Sequence, residues 1–140
     1  MDALYTAKAT AKGGRAGKVK SSDGVLDLDL AMPKSLGGDG SEGATNPEQL
    51  FAAGYAACFD SALNLVAGKE KKKIESEVSA EVSIGKDTDG GFKLGVALSV
   101  SVSGVELDEA KQLVEKAHGV CPYSKATDGN IEVTLNTDTF

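Results

Sequence analysis

This chain of 140 residues has no tryptophan, one histidine, three prolines and two cysteines, and aromatic residues make up only 5% of it. With so little aromatic volume, the core must rest on Ala, Val, Leu and Ile. One histidine cannot support a Ser-His-Asp arrangement, and His118 with two cysteines makes a poor zinc set. Cys58 and Cys121 show no CxxC spacing. Positive charge is scarce too: the net charge is -6, which argues against a nucleic-acid partner. The one basic run, Lys69 to Lys73, contains Glu70 and is followed by Glu75 and Glu77, and reads as a solvated loop. The longest apolar stretch, Leu50 to Phe59, falls short of the about 20 residues a membrane helix needs. Met1-Asp2-Ala3-Leu4 has neither the basic nor the apolar region of a signal peptide. The expectation is a cytoplasmic protein with no membrane partner, where cysteines point to chemistry rather than to a structural crosslink.

The remaining composition is ordinary for a globular protein, with 41% hydrophobic and 26% charged residues. The length suits one domain, residues 1–140. Leu4 to Ala11 reads as a strand, Gly13 to Gly17 as a turn, and Lys18 to Ser21 as the returning strand. Leu26, Leu28 and Leu30 alternate onto one face of a third. Pro33 to Gly43 form a long loop. Asn46-Pro47-Glu48-Gln49 is a helix start, with Asn46 as N-cap, Pro47 at the first position and Gln49 reaching back in a capping box. That helix should run to about Ala67 and end at Gly68. Its apolar residues surround most of the axis, which marks it as the most buried element. Val78 to Ile84 and Phe92 to Val102 alternate on either side of a turn at Asp87 to Gly91, an antiparallel hairpin. Leu107 to His118 is a second helix capped by Gly119, and Ile131, Val133 and Leu135 mark a last strand. The fold class is α+β, a largely antiparallel sheet with a buried central helix.

Cys58 lies in the second half of the first helix, and pattern alone leaves two readings open. Among Ala and Phe it would be a small inert hydrophobe with a raised pKa. As a nucleophile it needs a cation from elsewhere, because the helix N-terminus is about eleven residues back. Arg15, the only arginine, is either a surface residue of a glycine-rich turn or a permanent charge long enough to reach a buried thiolate. Glu48 either gains about 0.3–1 kcal/mol from the helix dipole or orients Arg15 through a bidentate pair. Cys121 is either an unpaired half-buried cysteine or a thiol made mobile by the helix exit before Pro122. The glycine-rich turn has the wrong spacing for a phosphate loop, with Val19 where Ser or Thr is needed. His118 reads as a side chain favoured by a helix C-terminus.

The segment Thr45-Asn46-Pro47-Glu48-Gln49-Leu50-Phe51-Ala52-Ala53-Gly54-Tyr55-Ala56-Ala57-Cys58-Phe59 resembles the first-cysteine signature of the organic hydroperoxide resistance family, within the wider OsmC-like superfamily. Val120-Cys121-Pro122-Tyr123-Ser124-Lys125-Ala126 resembles the second. The resemblance implies an OsmC-like fold, an intertwined homodimer, and a peroxidase that reduces alkyl or lipid hydroperoxides to alcohols. Residue by residue, it implies that Cys58 is the peroxidatic cysteine, Cys121 the resolving one, Arg15 the cation that stabilises the thiolate, and Glu48 its acidic partner. Phe51, Tyr55 and Phe59 are expected to line the substrate pocket. Cys58 would become a sulfenic acid and condense with Cys121 to a disulfide, which a dihydrolipoyl-bearing protein or a small dithiol would reduce. No cofactor and no metal is implied. The competing expectations are a peroxidase of the sibling OsmC branch with a broader substrate range, and a non-catalytic redox sensor or carrier of hydrophobic ligands.

Spacing adds an argument for two chains. Glu48 and Cys58, ten residues apart on one expected helix, are separated by about 15 Å along its axis and roughly 80° around it. One Arg15 does not serve both on a straight helix. Two such helices crossing antiparallel near Ala53 would bring Glu48 of one chain to Cys58 of the other. Ala52, Ala53, Gly54, Ala56 and Ala57 would let their backbones come close.

Overall fold

Three short strands, β1 (Ala9–Lys12), β2 (Lys18–Ser21) and β3 (Asp27–Asp29), form an antiparallel sheet in that order. They belong to the first of two units, Met1–Leu50 and Phe51–Phe140, into which the chain divides in this computed structural model of residues 1–140. Strand β1 begins later than expected, at Ala9 rather than Leu4. Its partner β2 offers only four residues to pair with, so Leu4 and Tyr5 stay exposed and unladdered. The alternating leucines differ in depth: Leu26 is exposed, Leu28 half-buried and Leu30 buried. Leu30 is pinned by its N–H to the Gly17 carbonyl at 2.8 Å and by a parallel bridge to Thr45.

The long helix α1 (Pro47–Lys69) starts as its sequence directs. Asn46 Oδ1 accepts the Gln49 N–H at 2.8 Å, the bond an N-cap makes. The reciprocal half of a capping box is absent, because the Gln49 side chain accepts the Thr45 hydroxyl at 2.8 Å instead. Gly68 lies inside the helix rather than ending it. The left-handed residue that closes it is Lys71, with φ 58°, and Lys72 N–H returns to the Ala67 carbonyl at 2.9 Å.

In the second unit, β4 (Glu75–Lys86) and β5 (Phe92–Ser103) form the expected hairpin, with Val82 opposite Val96 and Val78 opposite Val100. Helix α2 (Leu107–Val120) follows and runs through Gly119, with Cys121 as its cap. A short helix α3 (Pro122–Thr127) was not expected; Pro122 supplies the preset φ of a first helical position. Strand β6 (Val133–Thr139) then pairs parallel to β5, so β5, α2, α3 and β6 make one crossover unit in a sheet ordered β4-β5-β6.

Tyr55, Phe59 and Leu63 of α1 join Leu98, Val100 and Val102 of β5 and Ala110, Leu113, Val114 and Ala117 of α2 in one buried cluster that includes Cys121. Each large side chain buried there contributes about 1.5–3 kcal/mol. Within this chain helix α1 is buried on one side. Ala53, Ala57, Ser61 and Leu65 face outward, and Leu65 is 56% exposed. By length and composition α1 could cross a membrane, longer than Leu50 to Phe59 alone suggests, and the core helix of a soluble protein passes the same test.

Candidate active site

In the first unit the turn Gly13-Gly14-Arg15-Ala16-Gly17 projects the arginine. Gly13 and Gly14 adopt φ 84° and 57°, a region that suits residues without Cβ. At Gly17 a Cβ would run into the Lys12 carbonyl. Arg15 Nη1 donates to Glu48 Oε2 at 2.8 Å and Nη2 to Oε1 at 2.7 Å, a bidentate pair. Glu48 sits in the first turn of α1, where the helix dipole also favours its charge. The hydrogen bonds from Arg15 hold the Glu48 carboxyl below the usual carboxylate range, and Glu48 in turn raises Arg15. Their side chains are 31% and 13% exposed, so the pair is partly shielded from water.

In the second unit Cys58, half-buried on α1, and Cys121, fully buried between α2 and α3, are both free thiols. Cys121 Sγ lies 3.5 Å from Cys58 Sγ. Burial pushes the Cys58 thiol up, the Tyr123 backbone N–H draws it down, and neighbouring Cys121 raises it again. No cation is among these influences, so the net effect favours the thiol over the thiolate.

Around the two sulfurs lie two further sets of side chains. Phe51, Tyr55 and Tyr123 form a triangle of rings with centroids 5.7–6.1 Å apart. A Cβ at Gly54 would stand 2.6 Å from the Tyr123 hydroxyl, so the missing side chain makes room for that ring on α1. Tyr123 is 39% exposed, whereas Tyr55 and Phe59 are fully buried and Phe51 half-buried. Ser124 Oγ then lies 2.8 Å from both the Tyr55 hydroxyl and His118 Nδ1. Thr127 Oγ1 is 3.3 Å from the Tyr55 hydroxyl and donates to the Ser124 carbonyl at 3.1 Å.

The structure therefore joins the four polar candidates in two pairs, Arg15 with Glu48 and Cys58 with Cys121. Sequence reasoning placed Tyr123 and Ser124 in the second signature without giving either a role, did not find Thr127, and gave His118 only its helix end. Spacing offered one signal: His118, Cys121 and Ser124 recur every third residue, but across the helix end that Gly119 and Pro122 mark, so no single helix face joins them.

The OsmC-like protein family matches residues 38–136. Organic hydroperoxide resistance protein OhrA of Bacillus subtilis is 64% identical over 133 residues, covering 94% of each chain. Among solved structures, an organic hydroperoxide resistance protein of Elizabethkingia anophelis superposes with a TM-score of 0.95 at 55% identity, covering 100% of both chains. One from Vibrio cholerae, with captopril bound in one of its active sites, gives a TM-score of 0.91 at 48% identity over 98% of this chain and 94% of that one.

Proposed function

The chain belongs to the organic hydroperoxide resistance proteins of the OsmC family, and from that premise we propose that it is a thiol peroxidase that reduces alkyl or lipid hydroperoxides to alcohols. The observation that carries the reading is the 3.5 Å contact between Cys58 and Cys121. The Cys58 thiolate attacks the distal peroxide oxygen, the O–O bond breaks, and the alkoxide leaves as alcohol after taking up a proton. Cys58 is left as a sulfenic acid. Cys121 attacks its sulfur, water departs, and a Cys58–Cys121 disulfide remains. An external dithiol, dihydrolipoyl on a carrier protein or as a small molecule, restores both thiols by exchange. The protein works in the cytoplasm as one family domain, residues 1–140, with no cofactor.

Arg15 stabilises the Cys58 thiolate and the charge that develops on the peroxide oxygens. Two facts support that role. Cys58 is raised by burial with no cation offsetting it, so a nucleophilic thiolate needs one. Arg15 is held by a bidentate partner that fixes its fork while leaving its own charge intact.

The site is completed by a second copy of the chain. The Glu48–Cys58 spacing along α1 and the outward face of Ala53, Ala57, Ser61 and Leu65 support a homodimer in which α1 meets its mate. Phe51 and Tyr123, backed by the buried Tyr55 and Phe59, present the apolar surround that selects organic peroxides over hydrogen peroxide.

A steady-state assay with an alkyl hydroperoxide tests the reading, comparing dihydrolipoamide with thioredoxin as reductant. Sustained consumption with dihydrolipoamide is expected. One oxidation per chain without turnover would instead indicate a sensor.

A further inference from the structure

We infer that the hydrogen-bonded chain Tyr55–Ser124–His118 is a clamp that holds the Cys121 corner against α1, so that Cys121 captures the Cys58 sulfenic acid before a second peroxide reaches it. The inference rests on the peroxidase reading above and adds positioning residues to it.

Cys121 is the single non-helical residue between α2 and α3, with φ -63° and ψ 122°. Its N–H closes α2 on the Ala117 carbonyl at 2.8 Å, and its carbonyl accepts the Lys125 N–H of α3 at 3.0 Å. The resolving sulfur thus stands at a corner whose angle sets its position. His118 lies three residues before that corner and Ser124 three after it, and their 2.8 Å bond spans it. Ser124 then bonds to the Tyr55 hydroxyl, also at 2.8 Å, which ties the corner to α1 one helical turn before Cys58. Tyr55 and Cys58 are fixed relative to each other by the helix. His118, Cys121 and Ser124 are fixed by the corner. The Ser124 hydroxyl closes the figure and so sets the distance between the sulfurs.

Apolar side chains could fill this place and avoid the desolvation of three polar groups. Apolar contact has no preferred direction, however, and would let the corner slide along α1. Satisfied buried hydrogen bonds hold one geometry, and no buried side-chain polar atom here lacks a partner. The step that needs this precision is balanced and intramolecular: Cys58–SOH and Cys121–SH give the disulfide and water. Its competitor is bimolecular, oxidation of the same sulfenic acid to sulfinic acid by a second peroxide. A small displacement of Cys121 slows the first and leaves the second alone.

The test uses full-length Ser124→Ala, His118→Leu and His118→Asn, the last offering an amide atom near the position of Nδ1. Rapid quench with thiol trapping follows two steps separately: loss of the Cys58 thiol, and formation of the Cys58–Cys121 crosslink. In Ser124→Ala and His118→Leu, loss of the Cys58 thiol should stay within about twofold of wild type, while the crosslink should form roughly tenfold to a hundredfold more slowly. The peroxide concentration giving half sulfinic acid should fall by the same factor, and His118→Asn should recover much of the loss. Crosslinking at the wild-type rate in both disruptive variants would overturn the clamp, as would equal slowing of both steps. Wild type forming no crosslink at all would instead overturn the peroxidase reading, and the same traces tell the two failures apart.

Discussion

Cys121 Sγ stands 3.5 Å from Cys58 Sγ although 63 residues separate them in the chain. One thiol is carried by the middle of α1 and the other by the corner after α2, and the shared apolar cluster brings those elements together. A disulfide needs about 2.05 Å between sulfurs, so roughly 1.5 Å must close when the bond forms. That is within reach of side-chain rotation and a slight shift of the corner.

The two thiols should fail differently when replaced. Cys58→Ser should abolish peroxide consumption with the fold intact, since the hydroxyl is nearly the size of the thiol. Cys121→Ser should keep the first oxidation fast and then drift to Cys58 sulfinic acid under excess peroxide. Mass spectrometry after a timed peroxide pulse reads both. Turnover surviving in Cys58→Ser, or a free Cys58 thiol surviving in Cys121→Ser, would reverse the assignment.

The charges around the site make a pH prediction. Burial raises Cys58, and a cation lowers the pH at which its thiolate forms. Removing the cation in Arg15→Gln should therefore move the thiolate absorbance titration to higher pH. Glu48 is held low by Arg15, so its pair adds stability above the ordinary carboxylate pKa and loses it as pH falls through the lowered value. Below about pH 4.5 the wild type should lose melting temperature faster than Glu48→Gln. Parallel melting curves for the two proteins down to acid pH would contradict this.

Gly54→Ala sets two effects against each other. Alanine should gain about 1 kcal/mol as a better helix former, but its methyl meets the Tyr123 ring, which must leave its place beside Phe51 and Tyr55, at about 1–3 kcal/mol. The net change should be destabilising by about 1 kcal/mol in chemical denaturation. On a Tyr123→Ala background the same substitution should become stabilising. A Gly54→Ala change of equal sign and size on both backgrounds would rule out the contact.

Inactive Glu48→Ala and Cys58→Ser chains, co-refolded, should recover part of the wild-type turnover, because some heterodimers hold one intact site. No recovery in a mixture shown to contain heterodimers would place each site within a single chain.

Local chemistry made much of this legible in sequence. Asn46 is followed by Pro47 and a long apolar helix, and it caps that helix; the β4–β5 alternation pairs where its turn residues direct. Composition marked α1 as apolar on most sides but does not encode what covers each side: within one chain Ala53, Ala57, Ser61 and Leu65 face outward. The parallel placement of β6 and the short α3 depend on how the chain returns after α2, which a period of two or three and a half residues does not encode. The bonds among Tyr55, His118 and Ser124 join residues up to 69 apart through ordinary hydroxyls and one ring. His118 stood out as the one histidine, and Tyr55 as an aromatic of the first motif, but nothing in their spacing tied either to Ser124.

The most direct test is a single turnover. Reduced protein receives one equivalent of an organic hydroperoxide with no reductant present, and the alcohol released and the intact mass are measured together. The account predicts one alcohol per chain, a loss of the mass of two hydrogens, and a peptide crosslink joining Cys58 to Cys121. Alcohol absent, with both thiols still free and the peroxide unconsumed, would contradict it.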